Sequence, residues 1–152
     1  KGTFLFPINS DGTPPAPYTD MGWPITPSGL EDLLVRIHQD WPSIPDIAIT
    51  ENGAAYDDAP DENGLVNDER RVDYLVSHLD SVSRAIDRGV PVKAYYYWSL
   101  LDNFEWAEGY VKRFGIVYVN FETLQRIPKL SATVYSKVIK TNGLVLEEVR
   151  KN

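Results

Sequence analysis

The sequence predicts an α/β protein with parallel strands, and three observations carry that expectation. Segments of helical spacing alternate with short apolar runs in the order helix, strand, helix, strand, helix. The first of these runs, Ile47 to Thr50 after Pro45, is almost unbroken in apolar character, as expected of a strand buried on both faces. Two strands and three helices do not close a sheet, so a doubly wound sheet and an α/β barrel alike need strands that this chain does not supply.

Taken in order, the elements have the following warrants. Pro7, Pro14, Pro15, Pro17, Pro24 and Pro27 crowd the start, and residues 1–26 are expected to form a long Pro-rich loop. Leu30, Leu33, Leu34, Ile37 and Trp41 then recur at helical spacing behind Thr26, a possible cap, and Pro27, suited to a first turn, predicting a helix over about 27–40. After the first strand, "DDAPDENGLVNDE" is polar and turn-rich, and its acidic residues Asp57, Asp58, Asp61 and Glu62 read as a solvated loop, with a bound calcium ion as a lesser alternative. Val72, Leu75, Val76, Leu79, Val82 and Ile86 mark a second helix, capped by Asn67 or Asp68 and closed at Gly89. Val92 to Leu100, with three consecutive tyrosines and a tryptophan, reads as the second strand, and Tyr95, Tyr96 and Tyr97 as its wall-forming residues. An extended piece at 114–119 precedes a last helix from about Lys129 to Thr141, ended by Asn142-Gly143.

Composition narrows the function classes. The net charge of −7 and the absence of any basic run argue against nucleic acid and anionic membrane as partners. The chain has no cysteine, which excludes disulfides and thiolate chemistry. No apolar run approaches the ~20 residues of a membrane span and the start lacks signal-peptide zones, so a soluble, cytoplasmic protein is expected. The chain opens on Lys1 rather than methionine and is expected to be a piece of something longer. His38 and His78 lie within predicted helices with no second ligand at metal spacing, so no metal and no cofactor are expected.

In parallel α/β folds, functional side chains gather at the carboxyl ends of the strands. Glu51 stands there on the first strand, in "IAITENGAAYDD". Alone, Glu51-Asn52-Gly53 reads first as a polar strand exit with a glycine turn. The end of the second strand, "YYYWSLLDNFEWAEGY", adds Trp98, Asp102, Glu105 and Trp106 within nine positions. Strands ~4.8 Å apart share one mouth. Aromatic faces offer platforms for the C–H-rich face of a sugar, and carboxylates accept bonds from its paired hydroxyls. Taken singly, Trp98 reads equally as core and Trp106 as a loop anchor, while Asp102 and Asn103 read as turn or capping residues.

"ITENG", then "WSLLDNFEW" with its first tryptophan 47 residues after the glutamate, then "GYVKRFGIVYVNFET" and "RIPKLSA", in order and at family spacing, are similar to the C-terminal third of the family 1 glycoside hydrolases, the retaining β-glucosidases and β-galactosidases. The resemblance runs from about Asp20 through Gly143, and "TDMGWPITPSGL" is similar to the segment entering the sixth barrel helix. It implies the C-terminal part of a (β/α)8 barrel: helix 6, strand 7, helix 7, strand 8 and helix 8, with residues 1–26 as the loop after strand 6 and residues 27–152 as the remainder. By position, Glu51 matches the catalytic nucleophile, Glu105 and Trp106 the grip on glycone hydroxyls, and Trp98 the platform beneath the sugar, with Phe114 beside it. The Trp98-Ser99 peptide is expected to be cis. A retaining glycosidase needs a second carboxylate as acid/base. The family carries it in an Asn-Glu-Pro motif, which occurs nowhere in these 152 residues. The resemblance therefore implies an N-terminal barrel fragment as a partner, a β-glycoside or oligosaccharide substrate, and an isolated chain that aggregates or stays molten. Because Glu105 and Trp106 are intact, an unphosphorylated glycone is expected. The alternative reading is a carbohydrate-binding or interaction module without turnover.

Overall fold

The computed structural model describes residues 17–143. Most of the expected Pro-rich loop lies outside them. The described elements are α1 (Pro27–Asp40), β1 (Ile47–Asn52), α2 (Glu69–Asp87), β2 (Val92–Tyr97), β3 (Val117–Val119), β4 (Arg126–Pro128) and α3 (Leu130–Thr141), in that order. β1 and β2 pair in parallel, with Ile49 opposite Tyr95 and Asn52 opposite Tyr97. β3 and β4 form a separate antiparallel ribbon. β4, "RIP", is too short to show a period, and the sequence gives no sign of it.

The amphipathic helices cover one face of the β1–β2 pair. Leu34 and Val35 of α1 meet Val82 and Ala85 of α2 and Val90, with Ile47, Ile49, Val92 and Tyr95 packed against them. Leu75 and Leu79 of α2 meet Val138 of α3 above Tyr95 and Tyr97. The alternate residues Ala48 and Thr50 of β1 are exposed, as are Lys93, which the irregular register skips, and Tyr96 of β2, so the expected burial of β1 on both faces is not met within the described residues. Side chains of a strand alternate between faces, and here one face alone has helices on it. Of the three tyrosines, Tyr95 and Tyr97 pack against helices, and Tyr96 does not.

Two caps differ from expectation. Thr26 stands at the start of α1 but its hydroxyl makes no cap bond, because the Gly29 N–H is already taken by the Thr26 carbonyl at 3.0 Å. Asp68 precedes α2, yet its carboxylate turns away from the helix to Ser131 of α3, accepting from the Ser131 N–H at 2.8 Å and hydroxyl at 2.6 Å, and to Arg71 at 2.9 Å. α3 ends as expected, with Asn142 and Gly143 both in the left-handed region.

The largest correction concerns the acidic residues. Asp58 belongs to no solvated loop: it pairs with Arg71 and with Lys129, the latter at 2.8 Å. Asp102 is buried too, bound to Arg113 at 2.7 Å and Lys129 at 3.2 Å, and it accepts from the N–H groups of Gly115 and Val119. The sequence reading of Asp102 as a turn residue captured its backbone-binding habit and missed its charge partners. Together Arg71, Lys129 and Arg113 face Asp58, Asp68 and Asp102, three cations against three carboxylates. They join the loop after β1, the start of α2, the segment after β2 and the start of α3. Burial holds the Lys129 pKa below its ordinary value, with the Arg71 charge adding to the effect, while burial raises that of Asp68.

Removing Asp102 leaves Arg113 without a carboxylate and the Gly115 and Val119 N–H groups without its oxygens, and breaking a buried charge pair in this way costs about 3–5 kcal/mol. Asp102→Ala should therefore lower the unfolding midpoint far more than Asp40→Ala, whose partner Arg36 lies largely exposed on α1. Parallel denaturant titrations of the two variants, each assembled with the expected N-terminal barrel fragment, check this; equal midpoints would remove the network from the fold's support.

Candidate active site

Glu51 lies at the carboxyl end of β1 and Trp98 one residue beyond β2. The Trp98 N–H donates to the Asn52 carbonyl at 3.0 Å, so the ladder itself sets these two positions side by side. Gly53 makes this approach possible: a Cβ there would stand 1.7 Å from the Trp98 carbonyl oxygen. The Trp98-Ser99 peptide is cis, as expected. Asn52 is fixed from both ends, accepting from the Tyr95 hydroxyl at 2.7 Å and donating to the Tyr74 hydroxyl at 3.3 Å. Burial pushes both phenols above their ordinary pKa, so they stay protonated in this role.

Beyond Trp98, the chain folds a compact turn. The Glu105 N–H donates to the Gly109 carbonyl at 2.6 Å, and a single 3-10 turn, Trp106–Glu108, sits between them. Trp106 adopts a left-handed φ of 42° and is 82% exposed. Glu105 is half-buried, and its Oε2 is buried without a hydrogen-bond partner among the described residues. Phe114 is buried with its ring 6.0 Å from that of Trp23.

All five candidate residues, Glu51, Trp98, Glu105, Trp106 and Phe114, line one cleft of about 460 Å³, together with Trp23, Asn52, Gly53 and Tyr74. Trp23 and Tyr74 were missed in the sequence. Trp23 is a tryptophan in a Gly- and Pro-flanked loop, where packing does not demand one; Tyr74 sits on the buried face of α2 and carries no separate signal. Among the described residues no group of three metal-ligating side chains occurs, and no helix is long and apolar enough to cross a membrane. His78 stacks on Tyr74 at 3.9 Å and its Nδ1 lies 2.7 Å from the Tyr74 carbonyl, a structural contact below the cleft.

An open cleft with aromatic walls and two carboxylates, at the carboxyl ends of parallel strands, offers flat apolar faces beside hydrogen-bond acceptors. Comparison with known proteins defines the class. Residues 7–144 match the family model described as glycosyl hydrolase family 1. The β-glucosidase A of Thermotoga maritima is 53% identical over 128 residues, which cover 84% of this chain and 28% of that protein. A 6-phospho-β-galactosidase of Leptotrichia buccalis is 45% identical over 145 residues, covering 93% of this chain and 31% of that one. The solved family 1 β-glucosidase of Thermotoga maritima in complex with isofagomine lactam superimposes with a TM-score of 0.83 at 52% identity, over 86% of this chain and 29% of that chain. The chain belongs to glycosyl hydrolase family 1, and it spans less than a third of the length of these relatives.

Two outcomes follow from this geometry. Gly53→Ala should force Trp98 and the β1 exit apart and shift the tryptophan fluorescence spectrum; an unchanged spectrum would show that the close approach is dispensable. Burial holds the His78 pKa below its ordinary value near 6.5, against the smaller opposing pull of the Tyr74 carbonyl. Below pH 6.5 the unfolded chain then takes a proton that the folded state refuses, so stability falls as the pH drops from 6.5 to the folded-state value. NMR titration of the ring should give a midpoint below 6.5, and His78→Gln should flatten the acid side of the stability profile.

Proposed function

We propose that this chain supplies the nucleophile and the glycone-binding residues of a retaining β-glycosidase acting on terminal, unphosphorylated β-D-glycosides. The observation that carries the proposal is the gathering of Glu51, Trp98, Glu105, Trp106 and Phe114 in one cleft. On this reading α1, β1, α2, β2 and α3 are helix 6, strand 7, helix 7, strand 8 and helix 8 of a (β/α)8 barrel. Residues 1–26 are the loop after strand 6, and residues 27–152 form the C-terminal portion. The exposed residues Ala48, Thr50 and Tyr96 then face the barrel interior, where side chains of the missing strands would pack.

Glu51 attacks the anomeric carbon and forms a covalent glycosyl-enzyme. A second carboxylate, about 5–5.5 Å away, protonates the leaving oxygen and then activates water. That acid/base comes from an N-terminal barrel fragment, since the chain contains no Asn-Glu-Pro. Glu105 is assigned to hydroxyl recognition: its buried, unpartnered oxygen is an acceptor for a sugar hydroxyl, and Trp106 adds its indole N–H. A carboxylate at this place also repels a 6-phosphate, which favours the unphosphorylated glycone, although relatives in the family include proteins named 6-phospho-β-galactosidase.

The test is aryl β-glucoside hydrolysis by the chain alone and by the chain mixed with the N-terminal fragment. Activity is expected in the mixture alone, with a preference for the unphosphorylated substrate. A 2-fluoro glycoside should label Glu51, and Glu51→Gln should reduce turnover by about 10⁴-fold or more. Turnover that survives this substitution would take Glu51 out of the mechanism and favour a binding module.

A further inference from the structure

We propose that Arg71, which does not line the cleft, is the positioning residue that fixes the nucleophile relative to the sugar-facing walls; this rests on the glycosidase reading of the cleft. Its guanidinium is fully buried at the first turn of α2 and donates in three directions. Nη1 donates to the Ala54 carbonyl, three residues past Glu51, and to the Phe114 carbonyl at 3.2 Å, and it lies 3.4 Å from the hydroxyl of Tyr97, the residue before Trp98. Nη2 donates to Asp58 and to the Arg113 carbonyl at 2.9 Å, and Nε to Asp68 at 2.9 Å.

Apart from Asp68, at the start of α2, the acceptors belong to the three segments that carry Glu51, Trp98 and Phe114. A second bond ties two of them directly, the Tyr56 N–H donating to the Arg113 carbonyl at 3.2 Å. A planar fork with five N–H groups can hold acceptors on several sides at once, whereas an ammonium group is a single point with three donors. Asp58 and Asp68 compensate the charge, so the guanidinium stays ionised and its donors stay in place. None of its bonds is to a group that could react. Its effect on chemistry is carried through the backbone of the cleft, where a displacement of the nucleophile by ~1 Å costs about a hundredfold in rate.

The experiment uses the chain assembled with its N-terminal barrel fragment and compares wild type with Arg71→Lys. Competent sites are counted by trapping with a 2-fluoro glycoside, and the glycosylation rate per competent site is read from the burst phase with an activated aryl glycoside. The expected result is a per-site rate reduced about a hundredfold with KM within about threefold of wild type. A purely structural role would instead lower the number of competent sites and leave the per-site rate unchanged, and that outcome would overturn the proposal. If Arg71→Lys does not assemble, Tyr97→Phe removes one contact of the fork and leaves its charge partners; its per-site rate should fall at least about threefold, and an unchanged rate would again overturn the proposal. A wild-type assembly without turnover would overturn the glycosidase reading and this proposal with it, whereas turnover with an unaltered variant rate would overturn this proposal alone.

Discussion

The rest of the structure depends on one buried ionic junction. Arg71, Lys129 and Arg113 are held among Asp58, Asp68 and Asp102 where four chain segments meet at the carboxyl ends of β1 and β2. Apolar packing alone would leave those segments free to slide, since dispersion and burial are indifferent to direction. Charged hydrogen bonds are directional, and each here has a specific partner. The helices give the molecule its bulk, and the junction fixes where its loops leave the sheet.

That junction was the least legible part of the sequence, for a physical reason. Its members are scattered from Asp58 to Lys129, and acidic or basic residues in turn-rich segments ordinarily remain solvated. Asp58 and Asp102 gave no periodic signal, and Lys129 looked like the edge of a helix. Arg71 lies on a helix read only from its apolar stripe and was not singled out. The helices themselves were legible because spacing at 3.6 residues records burial directly, and α1, α2 and α3 fall within a few residues of where that spacing puts them. β1 and β2 followed from β-branched and aromatic runs between turn residues. β3 falls within the extended piece expected at 114–119, whereas three-residue β4 carries too few positions for a pattern.

Of the five candidate site residues, Glu51, Trp98, Glu105 and Trp106 stood out by type and place and Phe114 entered only through the family resemblance, and all five converge in one cleft. Carboxylates and tryptophans at strand ends stand out because nothing in the packing of a loop requires them. Trp23 and Tyr74, also in the cleft, were harder to find: one comes from a segment read chiefly as a loop and the other from a helix read chiefly as core. A cleft built by several distant segments exposes its members unequally to sequence reading, and the ones doing the supporting are the quietest.

The two halves of the cleft are anchored differently. Glu51 and Trp98 are tied to the sheet through the Trp98 N–H and the Asn52 carbonyl, while the turn from Glu105 to Gly109 closes its backbone bonds within itself. Substitutions in that turn can therefore reshape the cleft wall without moving the strand ends. Family 1 holds proteins named β-glucosidase and 6-phospho-β-galactosidase at comparable identity to this chain. Self-contained closure makes the turn a unit of the cleft wall that can be rebuilt while the strand-borne carboxylate keeps its address.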